Sequence, residues 1–287
     1  MQESIQEIIK VYYPTLSKGQ KKIADFIIND YEKASFMTAA ELGKATQVSE
    51  STVVRFASHI GFSGYPELQK SLQENVKSRL TSVQRMEAAS KIEGSDLLEI
   101  SLMRDMEVIK KTKETVSLKA FDGAVEAINK AKRIYILGVR SSASLAGFAA
   151  FYMGFLYDVV LVNASASSDM FEQMFRITED DLCIAISFPR YSSRTVKALK
   201  FARDRGACVI SITDGPSSPI APYANHLLLA PSNMLSFVDS LVAPLSLINA
   251  MIACAASRKE DVHKKLEGLE KIWDEYGVYK TEREEKK

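Results

Sequence analysis

Residues 181–214 read DLCIAISFPRYSSRTVKALKFARDRGACVISITD. Leu182 to Ser187 and Cys208 to Ile212 are short, apolar and rich in β-branched side chains, the pattern of strands buried on both faces of a parallel sheet, and a helical pattern fills the interval. Working outward, Ile134 to Leu137 and Val159 to Val162 lie upstream and His226 to Leu229 downstream, all of the same character and separated by further helical patterns. This alternation predicts a five-stranded, doubly wound parallel α/β/α sandwich, with ligands expected beyond the carboxyl ends of the strands.

Two strand-to-helix junctions carry chemistry. Strand one runs into Gly138-Val139-Arg140-Ser141-Ser142-Ala143, and strand three into Ser187-Phe188-Pro189-Arg190-Tyr191-Ser192-Ser193-Arg194-Thr195. A helix start offers free N–H groups and the positive end of a dipole; Ser and Thr add donors, and Arg adds a fork that matches phosphate. Together they predict a cradle for an anion. Simple N-capping is the bland alternative for each serine, and both readings stay open. Neither junction is a Walker loop, since GxxxxGK[ST] is missing, and Arg140 and Ala143 break GxGxxG, so neither ATP nor NAD is expected and no cofactor is assigned.

The chain has 287 residues, more than a typical ~150-residue domain, so two domains are expected. With 46% hydrophobic and 25% charged residues it is neither a disordered nor a collagen-like chain. Lys plus Arg number 37 against 36 Asp plus Glu, so any DNA reader must use a local surface. Cys183, Cys208 and Cys254 lie in apolar runs without the pairing or nearby histidines that zinc needs, and read as buried, reduced thiols; no metal site is expected. MQESIQEIIK is no signal peptide, and the location expected is the cytoplasm. The apolar stretch from Leu235 to Ser257 contains Asp239, Pro244 and Asn249, which argues for a core or interface helix over a membrane span.

The N-terminal part is a string of short helices. Ser17-Lys18-Gly19-Gln20 and Thr38-Ala39-Ala40-Glu41 both fit the capping box, predicting two helix starts. The first helix carries Ile23, Phe26 and Ile27 on one face, the second Ala39, Leu42 and Gly43. A third starts at Ser49, where Val48 and Val53 have the spacing of a hydrophobic staple and Val53, Phe56, Ala57 and Ile60 form a core face. Only Thr46, Gln47 and Val48 separate the second and third helices, which is the layout of a helix-turn-helix whose second helix reads the major groove. Its outward side holds Ser49, Ser51, Thr52, Arg55, Ser58 and His59: short hydroxyls for phosphates and one Arg long enough for guanine O6 and N7. Gly61 ends the helix as a left-handed cap. Any surface helix has one polar face, so this pattern alone leaves DNA binding open. Lys18, Lys21, Lys22 and Lys44 are further candidates for phosphate contact.

The polar run from Thr81 to Gly94 reads as a linker. Asp96 to Thr115 and Leu118 to Lys130 then read as two helices, with Leu97, Ile100, Met103 and Ile109 spaced for one buried stripe. The expected division is a helix-turn-helix domain over 1–80, a linker and leading helices over 81–121, and an α/β domain with a C-terminal helix over 122–287.

Val48-Ser49-Glu50-Ser51-Thr52-Val53-Val54-Arg55-Phe56 followed by GFSGYPEL at 61–68 resembles the N-terminal domain of RpiR-type bacterial transcriptional regulators. The resemblance implies that the loop after the recognition helix lies near the DNA backbone, which adds Ser63, Gly64 and Tyr65 as contact candidates; for Tyr65, packing beside Pro66 is the open alternative. The second half, through RIYILGVRSSASLA, the quoted 181–214 segment and SSPIAPYANHLLL, resembles the SIS (sugar isomerase) domain, which in that family binds phosphosugars. It implies Ser141, Ser142, Ser187, Ser192, Ser193 and Thr195 as phosphate ligands. Arg140 and the FPRYSSRT loop depart from the commoner pattern, and Arg140 and Arg190 add charge to the cradle or cap a carboxylate on a sugar acid.

Aldose–ketose isomerisation needs a positioned base. Glu172 lies where related isomerases carry catalytic residues, but no histidine is near it in sequence: His59, His226 and His263 lie elsewhere. The domain is therefore expected to sense and not to turn over its ligand, with no catalytic residue. The expectation is a transcriptional regulator of carbohydrate metabolism, a homodimer or homotetramer whose partners are a double-stranded DNA operator and a sugar phosphate or acidic sugar effector. A phosphosugar isomerase with an appended helical domain is the alternative, and a phosphosugar-dependent protein adaptor a third.

Overall fold

The computed structural model describes residues 5–79, 83, 85–86, 96–163, 168–232 and 236–279. Its contacts divide the chain into two compact units, residues 1–89 and 90–287. Most of the linker expected over Thr81 to Gly94, and Leu235 at the head of the expected apolar helix, lie outside the described residues.

The first unit contains α1 (Ile5–Tyr12), a single 3-10 turn (Tyr13–Thr15), α2 (Lys18–Asn29), α3 (Tyr31–Phe36), α4 (Ala39–Thr46), α5 (Glu50–His59) and α6 (Tyr65–Arg79). Both expected capping boxes form. The Gln20 N–H donates to the Ser17 hydroxyl at 3.4 Å while the Ser17 N–H donates to the Gln20 side chain at 3.0 Å. At α4 the Glu41 N–H donates to Thr38 at 3.2 Å and the Thr38 N–H to the Glu41 carboxylate at 2.7 Å, which holds that carboxyl below its usual range. Ile23, Ile27, Leu42, Val53, Phe56, Ala57 and Ile60 meet in one core, with Phe26 half-buried at its edge. The turn between α4 and α5 closes through Gln47, whose left-handed backbone (φ 57°) lets the Val48 N–H reach the Gly43 carbonyl at 2.9 Å. Gly61 (φ 98°) ends α5 as expected: the Phe62 N–H bonds the Ala57 carbonyl and the Gly61 N–H the Ser58 carbonyl, a Schellman closure.

In the second unit α7 (Leu97–Thr115) and α8 (Leu118–Lys130) lead into β1 (Ile134–Gly138), α9 (Ser142–Gly154), β2 (Val159–Val162), α10 (Met170–Gln173), β3 (Leu182–Ile186), α11 (Ser193–Asp204), β4 (Cys208–Thr213), β5 (His226–Leu229), α12 (Val242–Ser257) and α13 (Val262–Glu275). The sheet has the order β2-β1-β3-β4-β5, every pair parallel. Alternate residues of β1 divide between two cores. Ile134 and Ile136 pack with α8, α9 and α12 on one face, whereas Tyr135 and Leu137 pack with Ala198, Leu199 and Ala202 of α11 on the other. The order reverses between β1 and β3, so α9 and α11 leave neighbouring strands toward opposite faces.

Two packing expectations are corrected. On α7 the buried positions are Val108 and Thr112, whereas Met103 is 53% and Ile109 38% exposed, so Leu97, Ile100, Met103 and Ile109 do not form one buried stripe. Leu98, Leu102 and Met106 are exposed as well; apolar residues occupy more than one side of this helix, and its periodicity does not select the inner one. Of the thiols only Cys183 is fully buried, and desolvation pushes it up to about 12; Cys208 and Cys254 are half-buried. Among the described residues no helix is long and apolar enough to cross a membrane.

Candidate functional site

On the helical unit, α5 presents Ser49, Ser51, Arg55 and Ser58 at the surface, with Thr52 half-buried. Ser49 stands at the N-cap position of α5, yet its hydroxyl bonds those of Ser51 (2.9 Å) and Thr52 (2.8 Å) and caps no helix N–H. Arg55 donates from Nε to the Ser51 carbonyl at 3.2 Å, drawing the guanidinium toward the start of the helix and leaving its terminal nitrogens without a protein partner among the described residues. Ser17, Gly19, Gln20, Val48, Ser49, Thr52 and Arg55 line one open recess, so the starts of α2 and α5 share a polar, hydroxyl-rich surface. Ser58 donates back to the Val54 carbonyl at 3.3 Å.

The remaining candidates of this face are engaged within the protein. His59 shares a 3.0 Å hydrogen bond between Nε2 and Thr15 and meets the Tyr12 ring edge-on at 6.2 Å, which ties the end of α5 to the Tyr13–Thr15 turn. Both the hydroxyl and N–H of Ser63 donate to Glu67, at 2.7 and 2.6 Å. Tyr65 is a correction: it is 3% exposed, its ring belongs to the core, and its hydroxyl donates to the Met37 carbonyl at 2.7 Å, so it is not presented to DNA. Burial of that phenol raises it to about 12. Lys21 lies over the Tyr13 ring at 5.3 Å, and Lys18, Lys22 and Lys44 are exposed.

In the α/β unit both serine-rich junctions emerge at the carboxyl edges of adjacent strands, where Gly138 of β1 pairs with Ile186 of β3. Arg140 and Arg190 each take the left-handed backbone conformation, at φ 61° and 66°. A non-glycine residue there carries steric strain, and sequence reasoning that looks for Gly or Asn at such turns passes over arginine. Arg140, Ser141, Arg190 and Ser193 are exposed, Ser192 is half-buried, and Ser142 and Ser187 are each 4% exposed. Ser192 caps α11, accepting the Arg194 N–H at 3.2 Å, so the capping explanation accounts for that hydroxyl; Ser141, at the N-cap of α9, makes no such bond.

Thr195 is different. It sits in the first turn of α11, is 0% exposed, and its hydroxyl has no hydrogen-bond partner among the described residues. A buried hydroxyl without a partner is costly, and this one sits at the head of a helix beside Ser192 and Ser193. Three residues that the sequence reading passed over shape the same edge. Tyr191 donates at 2.8 Å to Asp214 at the end of β4, and Thr213 donates to the same carboxylate at 3.1 Å. Burial, with Asp214 alongside, pushes the Tyr191 phenol far above its ordinary range and holds the β3 turn against β4. Glu172, the candidate base of the isomerase alternative, is exposed and accepts the Asp169 N–H at 2.9 Å in a capping box at the start of α10.

Residues 3–79 match the helix-turn-helix domain of the rpiR family, and residues 127–254 match the SIS domain. An uncharacterised HTH-type transcriptional regulator of Haemophilus influenzae is 28% identical over 261 residues, covering 87% of this chain and 89% of that protein. The HTH-type transcriptional regulator HexR of Pseudomonas aeruginosa is 27% identical over 223 residues, 76% of each chain. Among solved structures, the sugar isomerase domain of an RpiR transcription factor from Sphaerobacter thermophilus superposes with a TM-score of 0.59 at 27% identity, covering 61% of this chain and 99% of that one. The Vibrio vulnificus NanR protein, solved in complex with ManNAc-6P, shares the fold over 96% of this chain and 99% of its own, with a TM-score of 0.59 at 19% identity. An rpiR-type reading head and a SIS domain in one chain, with HTH-type regulators as relatives along most of its length, place this protein in the RpiR family of transcriptional regulators.

Proposed function

We propose that this regulator acts on genes of carbohydrate metabolism, that its SIS domain takes up a sugar phosphate or a related acidic sugar, and that the ligand changes affinity for a double-stranded operator. The observation that carries the reading is Thr195, a fully buried hydroxyl with no protein partner in the first turn of α11. Around it the ligand-binding set is Arg140, Ser141, Ser142, Ser187, Arg190, Ser192 and Ser193, at the carboxyl edge where doubly wound sheets hold ligands. The DNA-binding set is Ser49, Ser51, Thr52 and Arg55, with Ser58 and Ser63 beside them. Helix-turn-helix proteins read paired half-sites about one helical turn apart, which calls for a homodimer or a homotetramer in the cytoplasm, and a ligand that alters how copies pack alters the spacing of their recognition helices.

Two substitutions test the two halves. Thr195→Val keeps the shape but removes the unpartnered hydroxyl, so the unliganded protein should gain about 1 kcal/mol of stability while losing affinity for its effector. A thermal-shift screen of sugar phosphates and sugar acids reads both effects, because a ligand at 100 times its Kd adds about 2.7 kcal/mol to the wild type. A valine variant that melts lower and still responds to the same ligand would remove Thr195 from the site. Arg55→Ala should weaken binding to a duplex selected from a random pool by about 1–3 kcal/mol and leave the melting temperature in place; undiminished DNA affinity would take the recognition role away from α5.

A further inference from the structure

We infer that α7 is the face on which two copies of this chain pair, antiparallel about a twofold axis, with Glu99 of one copy set against Lys110 of the other. The inference rests on the paired copies of the proposed function and deepens that reading, because it assigns the pairing surface and its direction.

The first ground is an apolar seam written into the helix sequence LLEISLMRDMEVIKKTKET. Val108 and Thr112 are buried, and α7 packs on α12. Leu98, Leu102, Met106 and Ile109 follow at spacings of four, four and three, which at about 100° per residue confines them to an arc of about 80°. That arc looks away from the unit: Leu98 is 71%, Leu102 56% and Met106 70% exposed. The exposed Met103 widens it, and the Ser240 hydroxyl, which donates to Asp105 at 2.5 Å, brings the exposed Phe237 and Val238 near its edge. Together these side chains offer roughly 700 Å² of apolar surface, more than the roughly 300–600 Å² of the largest patch on an ordinary monomer and close to the roughly 800 Å² that each partner gives a stable complex.

The second ground is charge, which sets both the partner and the direction. Glu99 lies in the first turn of α7 and Lys110 about three turns further on, so both follow the same flank of the seam, with Asp105 on the other. When two helices pair antiparallel, residues of the same flank meet; when they pair parallel, opposite flanks meet. Antiparallel copies therefore bring Glu99 against Lys110 twice, related by the twofold, and lay Leu102 of each copy near Met103 and Met106 of the other. Parallel copies would set Glu99 against Asp105, acid against acid. The face is thus complementary to itself in one direction, as an isologous interface must be. Glu99 forms no ion pair among the described residues, and Lys110 reaches Glu114 only at 4.0 Å, with both of those side chains largely exposed, so a second copy can engage them.

The test uses the full chain, sedimentation equilibrium at micromolar concentration and circular dichroism as the check on folding. Leu102→Glu combined with Met106→Glu alters two exposed side chains, so helix content should stay while self-association weakens about a hundredfold or more. Glu99→Lys alone and Lys110→Glu alone should each weaken it about tenfold, since like charges then face each other at both symmetry-related contacts. An equilibrated mixture of these two single variants, one of them isotope-labelled, should form the mixed dimer in preference to either homodimer, because every charge then meets its opposite; native mass spectrometry reads the partition. Should the double glutamate variant lose helix content, the two charge variants decide. Wild-type self-association in a folded Leu102→Glu, Met106→Glu protein, or a statistical mixture of the charge variants, would overturn the inference and leave the pairing to another face. A wild-type chain that stays monomeric at these concentrations would overturn the inference together with the paired copies of the proposed function, while ligand uptake and DNA binding, measured separately, would still test the rest of that function.

Discussion

Replacing Gly138 with alanine should cost the α/β unit about 3 kcal/mol, at the upper end of what overpacking a well-filled core does. Gly138 is the last residue of β1, and a β-carbon there would run into the Ser142 carbonyl oxygen, with the carbonyl carbon at 2.8 Å and the Ala146 Cβ at 3.1 Å. The obstacle is the backbone of the first turn of α9, which cannot rotate aside as a side chain would. Either β1 or α9 must shift, and α9 carries Ser141 and Ser142 at its start. The variant should therefore melt roughly 6–12 °C lower, given about 2–4 °C per kcal/mol in a unit of this size, and its effector response should fall with it. Scanning calorimetry on the full chain checks this; a transition at the wild-type temperature would mean that strand and helix do not approach so closely.

Phe56→Ala should remove about 3–5 kcal/mol from the helical unit, the usual cost of deleting a buried aromatic ring. Phe56 is 0% exposed and shares its core with Ile23, Leu42, Val53 and Leu68. A domain this small has only a few kcal/mol in reserve, so the substitution should leave much of it unfolded at 37 °C. DNA binding should disappear together with the amide-exchange protection of α5, which separates this variant from Arg55→Ala, where DNA binding falls and protection stays. Wild-type protection in the Phe56→Ala protein would remove Phe56 from the centre of that core.

The architecture was legible because its signals are local. Capping boxes at Ser17 and Thr38 close within four residues, and the five strands are short apolar runs whose β-branched side chains are read one run at a time. The misreadings share a physical cause: burial is decided by partners far along the chain. Tyr65 is drawn into the core by the Met37 carbonyl, 28 residues away, and α7 is oriented by contacts with α12. His59 was legible as a polar residue of the outward face, but its bond to Thr15 spans 44 residues. At the carboxyl edge of the sheet, composition pointed to a cradle for an anion, yet only coordinates separate Ser192, which caps its own helix, from Thr195, which caps nothing. The left-handed turns at Arg140 and Arg190 were hidden for another reason: no propensity scale marks arginine for that conformation.

The unpartnered Thr195 hydroxyl has a consequence for how long the regulator persists. On the proposed reading, occupancy both satisfies that group and adds linkage stabilisation, so metabolite-starved molecules open more often than loaded ones, and cellular proteases sample the open form. Abundance of the regulator, and not only its grip on promoters, would then follow the nutrient supply, coupling turnover to metabolism without any dedicated degradation signal.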